Sequence, residues 1–417
     1  MIEVEKNMCC GCSACVQVCP KHCISFIEDE EGFLYPTIEK ENCVECGLCK
    51  KVCPFQVTAP VRNHIPEAYG MKAFDNQIVE NSSSGGVFSL LAGKFIEAGG
   101  VVYGAAMTDD VRGAQHIRVS SVEELSLLRS SKYLQSEMKD CYRQIKEDLN
   151  RGKKVLFSGV PCQINGLNLY LNRSFENLFC VEVICHGVPS PLLWKKYIEK
   201  LESDFKAKVS SVNFRKKKHS WNKFGLLVKG ENISQYKSLD QDSYLQMFLK
   251  NYCLRPSCYA CNAKNIESMA DITIADFWGV QNVVPEMDDD MGTSLVLIQS
   301  CKGKELFEKI KGLAMYKLVD FDRSIQSNPA YYKSALKPKN REVFFEELNI
   351  HGYNCVARKY GHLTPKERII RLLSKTPVLK MYRKIVRGGG VNKTQFRYGM
   401  EVELMFTSNT DEYSSFH

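Results

Sequence analysis

The sequence predicts three parts in succession: a small cysteine-rich α+β module, an α/β domain, and a basic, mostly helical C-terminal region. Three observations predict this order. Two dense cysteine runs open the chain, apolar strand-length runs then alternate with helical stretches, and the last part has few strand patterns and many lysines and arginines. The predicted boundaries are 1–57, 68–322 and 323–417, with residues 56–68 as a proline-containing linker.

The first module carries one cysteine spacing twice. Residues 9–20 have the pattern C-x2-C-x2-C-x3-C-P, and residues 43–54 repeat it. An iron–sulfur cubane needs four thiolates, and in two-cluster modules the fourth cysteine of each run binds the other cluster. The predicted ligands of the first cluster are Cys9, Cys12, Cys15 and Cys53. Those of the second cluster are Cys43, Cys46, Cys49 and Cys19.

Two zinc sites are the alternative for this module. Zinc uses C-x2-C pairs but calls for neither a third cysteine nor a C-x3-C-P step in each half. We therefore predict two [4Fe-4S] clusters, and the module resembles the bacterial two-cluster ferredoxins, which makes it ferredoxin-like. Cys10 and Cys23 fall outside both ligand sets. We expect Cys10 to be a loop residue and Cys23 to be a small buried residue.

The second part has the alternating pattern of an α/β domain. The predicted strands are EAYGMKAF, VVYGAAM, KVLFSG, LFCVEVICHG, ADITIADFWG and SLVLIQS. The predicted helices are GVFSLLAGKFIEA, MKDCYRQIKEDLNRG and PLLWKKYIEKLESDF.

Four further cysteines lie where predicted strands end or turns begin. Cys162 and Cys185 each follow a strand, and Cys258 and Cys261 form a C-x2-C pair. Ligands of α/β sheets gather at such strand ends, so these thiols predict a third metal site. On spacing alone, iron and zinc both suit it. Ordinary buried cysteines are the remaining interpretation.

Six separated motifs carry a resemblance to a known family. They are SSSGGVFSLLAGKFIEAGGVVYGAAM, RSSKYLQSEM, GKKVLFSGVPCQINGL, VICHGVPSPLLWKKY, SCYACNAK and ADITIADFWG. In this order they resemble the coenzyme F420 hydrogenase/dehydrogenase beta-subunit family over residues 67–360. The resemblance implies FAD and a third [4Fe-4S] cluster with the ligands Cys162, Cys185, Cys258 and Cys261. It also implies flavin contacts at Ser82, Ser83, Ser84, Gly85, Gly86, Lys132, Tyr133 and Gln135.

The residue types at these positions suit that chemistry. A Ser/Gly turn before an apolar helix offers backbone amides and a helix dipole to a phosphate, although such residues are also ordinary helix caps. Lys132 offers a cation to a diphosphate or flavin edge, and His186 offers a donor to a cluster sulfur or a substrate. These two are the catalytic candidates. A solvated lysine and a structural turn histidine are the plain alternatives.

The segment 215–218, RKKK, and the nearby Trp221 suit an anionic substrate or cofactor. An exposed hairpin charge patch is the plain alternative for this run. Asp276, in IADFWG, is expected to orient a backbone turn and not to act in chemistry.

A chain with clusters and a flavin suits exchange between two-electron and one-electron carriers. We therefore predict an iron–sulfur flavoprotein oxidoreductase that passes electrons between a ferredoxin-type redox protein and a small-molecule two-electron substrate, coenzyme F420 or another organic acceptor. The alternatives are an electron-transfer subunit that docks to a partner enzyme and has no substrate of its own, with polysaccharide biosynthesis as one setting, and a redox sensor.

The charge of the chain is concentrated near its C-terminal end. Of the net charge of +8, residues 331–400 contribute sixteen lysines and arginines against four acidic residues. The amphipathic segment 367–387 predicts a helix packed by its apolar side, with docking to an acidic partner or peripheral membrane contact as alternatives. We expect no nucleic-acid binding and no transmembrane segment. The nineteen cysteines without an apolar leader favour a cytoplasmic location.

Overall fold

The computed structural model describes residues 4–57, 64–264, 268–365 and 367–368. The strands in these ranges are β1 Ile24–Glu28, β2 Leu34–Ile38, β3 Glu67–Ala73, β4 Val101–Met107, β5 Ala114–Val119, β6 Ser136–Glu137, β7 Val155–Gly159, β8 Leu178–Val183, β9 Val209–Lys216, β10 Gly225–Gly230, β11 Ile233–Ser238, β12 Ile272–Asp276, β13 Ser294–Ile298 and β14 Ala314–Val319. The α-helices are α1 Ala14–Val18, α2 Leu48–Lys51, α3 Asn76–Glu80, α4 Val87–Glu97, α5 Leu125–Leu128, α6 Cys141–Asn150, α7 Pro161–Leu171, α8 Pro191–Phe205, α9 Ser243–Leu249, α10 Val280–Val283, α11 Cys301–Ile310, α12 Phe321–Ile325, α13 Arg341–His351 and α14 Tyr353–Tyr360.

A nine-stranded mixed sheet forms the centre of the molecule, in the order β14-β3-β13-β12-β8-β7-β4-β5-β6. The four strands β12, β8, β7 and β4 are parallel. Antiparallel pairs flank them on both sides. The predicted α/β character is therefore confirmed in a mixed form. The predicted strands and helices of this part all occur, because buried apolar runs such as β7 and β13 suit the interior of a sheet.

Helices cover both faces of this sheet. Alternate side chains of a strand point to opposite faces, and β4 shows this directly. Val102 and Ala106 pack with α4, whereas Val101 and Tyr103 pack with α6 and α7. The edge of the sheet where β7, β8 and β12 end is thus held between two packed layers.

The cysteine-rich module is packed into the rest of the molecule. Its β1 and β2 form an antiparallel pair, and α1 and α2 lie within the two cysteine runs. Ala14 and Val52 belong to the same core as α6 and α7, and the fully buried Phe33 belongs to the core around α8. Two separate apolar contacts therefore hold the module against the α/β part.

Helices α13 and α14 pack onto α8 and α9, where Phe344 and Val356 are fully buried. The domain boundary at residue 323 stays a prediction. Apart from residues 367–368, the predicted basic helix 367–387 and the tail lie outside the described residues. Within the described ranges, no helix is long and apolar enough to cross a membrane.

Candidate iron–sulfur and flavin site

The first cysteine run forms a pocket with the last cysteine of the second run. Cys9, Cys12, Cys15 and Cys53 line this pocket, and Cys10 is a fifth thiol at its wall. Gly11 has a φ of +70°, a backbone conformation that favours glycine. The structure thus brings together the four residues predicted for the first cluster.

The second run forms an equivalent pocket with Cys19. Cys43, Cys46 and Cys49 line it together with Cys19, and Cys23 is again a fifth thiol. The sulfurs of Cys19 and Cys23 are 3.4 Å apart. Cys46 is exposed, and the side chains around it include the exposed Val44 and Leu48. This second pocket therefore faces the solvent.

A third group of cysteines lies at the ends of two neighbouring strands. Cys162 is in the first turn of α7, directly after β7, and Cys185 follows the adjacent parallel strand β8. Cys258 and Cys261 lie on and just after the 3-10 turn Pro256–Ala260. Burial raises the pKa of Cys185, Cys258 and Cys261 to about 11, and neighbouring thiols in the group contribute to the rise. The four cysteines from three loops are thus neighbours.

Cys10 joins this third group to the first pocket. Its thiol lies near those of Cys12 and Cys162, and these two neighbours lower the pKa of Cys10. The expectation of a loop residue is correct for its backbone, but it missed this contact. The only signal in the sequence was a fifth cysteine beside a complete ligand pattern.

The three groups are spread more widely than the ligands of one ion. In the described parts of the chain, no three cysteine, histidine, aspartate or glutamate side chains converge closely enough to hold a single metal ion. In a cubane each of the four thiolates binds a different iron.

The predicted flavin residues divide between two places. Ser83 and Ser131 share a hydrogen bond of 2.9 Å between their hydroxyl groups, which joins the SSSGG loop to the loop after α5. Ser84 donates to the carbonyl of Thr293, and the amide of Gly85 donates to Ser294. The SSSGG loop is therefore attached to the sheet directly before α4.

Gln135 lies instead against the first cysteine run. Its amide nitrogen donates to the carbonyl of Cys10 at 3.2 Å, and its amide oxygen accepts from Arg255 at 3.0 Å. The single loop that carries Tyr133 and Gln135 therefore contacts both the SSSGG side and the cysteine side of the site.

A buried arginine lies beside the SSSGG loop. Arg215 donates to the carboxylate of Asp276 at 3.0 Å, to the carbonyl of Ser83 at 3.2 Å and to the hydroxyl of Tyr133 at 3.4 Å. It is 3 % exposed, so the interpretation of an exposed charge patch is wrong for this residue. Its buried Nε has no acceptor among the described residues. A buried guanidinium with a free N–H suits an anionic or carbonyl-bearing ligand.

Asp276 connects this arginine to a pair of stacked indoles. The indole N–H of Trp221 donates to Asp276 at 3.2 Å, and the rings of Trp221 and Trp278 stack with centroids 4.9 Å apart. The carboxylate therefore has two side-chain partners, which differs from the backbone role expected for it.

The sheet places Asp276 next to the third cysteine group. Ile274 on β12 pairs with Val183 on the parallel strand β8. Asp276 and Cys185 each lie two residues further along their strands, at the same edge of the sheet. The arginine site and the third cysteine group are thus neighbours.

The two catalytic candidates have structural partners. The amine of Lys132 donates to the carbonyls of Leu127, Arg129 and Ser130, and burial lowers its pKa to about 7. The imidazole Nε2 of His186 is 2.7 Å from the amide oxygen of Asn251, and burial lowers its pKa to about 4. Their catalytic roles stay predictions.

Comparison with known proteins finds matches for the cysteine-rich module and for a large part of the α/β domain. Residues 8–57 match the 4Fe-4S dicluster domain, and residues 152–323 match the C terminus of the coenzyme F420 hydrogenase/dehydrogenase beta subunit. No match is found among curated proteins. Among solved structures, the chain is similar to a chain of the F420-reducing [NiFe] hydrogenase complex from Methanosarcina barkeri, studied by xenon derivatization. That similarity has 16 % identity and a TM-score of 0.43, and it covers 73 % of this chain and 99 % of that chain. The two family models confirm the resemblance predicted from the six motifs: a 4Fe-4S dicluster domain is followed by a region that matches the C terminus of the coenzyme F420 hydrogenase/dehydrogenase beta subunit.

Proposed function

We propose that the chain passes electrons between an external redox protein and a two-electron organic substrate, along a line of three [4Fe-4S] clusters and FAD. The observation that carries this proposal is the packing of the loop of Cys258 and Cys261 on the dicluster module: the hydroxyl of Ser257 donates to the carbonyl of Cys9 at 3.0 Å, and the amide nitrogen of Asn262 donates to the carbonyl of Pro54 at 3.1 Å. It places the dicluster module in direct contact with the third cysteine group.

The residues divide the path into three steps. The exposed Cys46 and its apolar neighbours Val44 and Leu48 offer the external partner a place to dock. Cys53 and Cys19 each cross to the other run, so the two clusters of the module are bound by shared loops. Cys162, Cys185, Cys258 and Cys261 are the proposed ligands of the third cluster, which follows the expectation from the family.

The arginine site suits FAD. The SSSGG loop at the start of α4 would hold the diphosphate through backbone amides, and the free Nε–H of Arg215 would donate to the isoalloxazine or the diphosphate. Bound FAD would supply the exchange between two-electron and one-electron transfer. Coenzyme F420 is the proposed substrate, because of the matched family.

Anaerobic purification with iron, sulfide and flavin analysis tests this proposal. We expect about twelve irons, as three cubanes of four, and one FAD per chain. The double variant Cys162→Ala/Cys185→Ala should keep about eight irons, whereas Cys180→Ala, which removes a buried thiol of β8 outside the three groups, should keep all of them. Eight irons and no flavin in the unmodified chain would refute the proposed exchange between one-electron and two-electron carriers. That result would favour an electron carrier without its own substrate.

The substrate is tested separately. Reduced coenzyme F420 should bleach the flavin and cluster absorbance of the anaerobic protein. A protein with full iron and FAD that reduced coenzyme F420 leaves unchanged would exclude this substrate and point to another organic acceptor.

A further inference from the structure

We propose that Arg255 raises the reduction potential of the cluster at the first cysteine run, so that electrons move to this cluster from its neighbours. This inference deepens the proposed function and rests on its assignment of the first pocket to a [4Fe-4S] cluster. Arg255 belongs to none of the ligand sets or flavin contacts predicted above.

The guanidinium of Arg255 is bound to the first run from one side. Its Nε donates to the carbonyl of Cys9 at 2.5 Å, and its Nη2 lies 3.4 Å from the sulfur of Cys9. Nη2 also donates to the carbonyl of Leu34 at 2.9 Å, and Nη1 donates to the amide oxygen of Gln135 at 3.0 Å. All of its N–H groups that make these bonds point to uncharged oxygens or to the cysteine sulfur.

The charge of Arg255 is shielded from water. The residue is fully buried, at 0 % exposure. Its guanidinium lies 4.3 Å from the ring centroid of Tyr35 and 5.3 Å from that of Phe33. A charge in such surroundings acts strongly on nearby groups, because little solvent screens it. Among its hydrogen-bond partners in the described residues, the sulfur of Cys9 is the group that would become anionic as a cluster ligand.

The direction of the effect follows from the sign of this charge. Each one-electron reduction makes a cluster and its thiolates more negative, and a nearby cation stabilises the reduced form. With the clusters bound, one electron would leave a neighbouring cluster and enter the first one, and this transfer would need no proton or further reactant.

Arg255 also lies at the junction of the groups. Cys258 is three residues further along the same loop, and the hydroxyl of the intervening Ser257 donates to the carbonyl of Cys9 at 3.0 Å. The arginine side chain is nevertheless directed at the first run. Its charge should therefore raise the reduction potential most at the first-run cluster, which lies between the second-run cluster and the third cysteine group on the proposed path.

A redox titration of the complete anaerobic protein, followed by EPR, tests this inference. In Arg255→Gln we expect the midpoint of the first-run cluster to move furthest to a more negative potential, with a smaller shift for the proposed third cluster because the charge of Arg255 also acts on Cys258, and no shift for the second-run cluster. Arg255→Lys retains the charge and should move the same midpoint less. Gln135→Glu places a carboxylate beside Nη1 without removing the arginine, and it should move the same midpoint in the same direction.

A matched control separates charge from packing. Arg341 is a second buried guanidinium between the module and the α/β part; it pairs with Glu31 and donates to the carbonyl of Leu254. Its hydrogen bonds and ion pair include no cysteine among the described residues, so Arg341→Gln/Glu31→Gln should leave every midpoint unchanged. The inference is refuted if both Arg255→Gln and Gln135→Glu titrate like the unmodified protein, or if the control moves the same midpoint.

The iron content distinguishes this inference from the proposed function. A chain with about eight irons lacks the third cluster, yet the two module clusters still titrate and still test Arg255. If Arg255→Gln loses iron, Gln135→Glu decides the matter, since it keeps the arginine in place.

Discussion

The contact between α7 and the first cysteine run can be tested at one glycine. Gly166 lies in the middle of α7, the helix that carries Cys162 in its first turn. A Cβ at this position would stand 3.0 Å from the sulfur of Cys12 and 3.0 Å from the hydroxyl oxygen of Tyr142. The absence of a side chain therefore lets the helix of the third group lie directly on the ligand loop of the first cluster.

We expect Gly166→Ala to destabilise the protein relative to a matched control. Overpacking of a close contact costs about 1–3 kcal/mol, whereas replacing glycine by alanine inside a helix contributes about 1 kcal/mol of stability. Gly93→Ala in α4 is the control, because a Cβ there meets nothing within 4 Å. The control should therefore show only the gain, and the two variants should differ by about 1–3 kcal/mol in free energy of unfolding.

Urea unfolding under anaerobic, reducing conditions measures this difference, with tryptophan fluorescence and cluster absorbance as two probes. In Gly166→Ala we also expect slower electron exchange between the module and the proposed third cluster, because the helix must move away from Cys12. Equal stability of the two alanine variants would refute the close contact.

Three further predictions concern the ligands, the arginine site and pH. Cys53→Ala should remove about four irons and the EPR signal of the first-run cluster while the second-run signal remains; loss of the second-run signal alone would contradict the crossed ligands. Arg215→Gln should weaken FAD binding about tenfold or more, since hydrogen bonds from charged groups contribute about 1.5–3 kcal/mol, and equilibrium dialysis should show no change for the exposed Lys218→Gln. Burial lowers the pKa of His116 to about 4, so below its unfolded pKa of about 6.5 the unfolded chain takes up a proton that the folded chain does not. His116 should therefore contribute a fall in stability of about 1.3 kcal/mol between pH 7.5 and 5.5, and unfolding of His116→Gln should lack this part of the pH dependence.

The cysteine runs show how much the local sequence determines. Their spacing is sufficient to predict both ligand sets of the module, because the reach of a short loop limits which thiols can meet. The strands β7, β8, β12 and β13 were likewise predictable. Their continuous apolar runs have the length of a strand and are too short for a buried helix. The family resemblance followed from motifs at the ends of these strands.

The partners of Cys10, Arg215 and Arg255 could not be predicted in this way, because the neighbours of each residue in sequence do not include its partners in space. An anion site was one interpretation of the run that contains Arg215, but nothing in that run indicated its bonds to Ser83 and Asp276. Cys10 was expected only to be a loop residue, and Arg255 was not singled out. Cys10 comes near Cys162 only when α7 packs on the module, where Gly166 lies against Cys12. Arg255 meets Cys9 only across the same interface.

By itself, the sequence predicted which residues bind iron and determined which segments become strands, because loop reach and side-chain burial act over a few neighbouring residues. The tertiary structure alone decided which groups lie next to one another. It placed the third cysteine group against the dicluster module and a buried positive charge beside the first run. The physical reason is that proximity between distant segments depends on how whole helices and sheets pack, which no short stretch of the chain encodes.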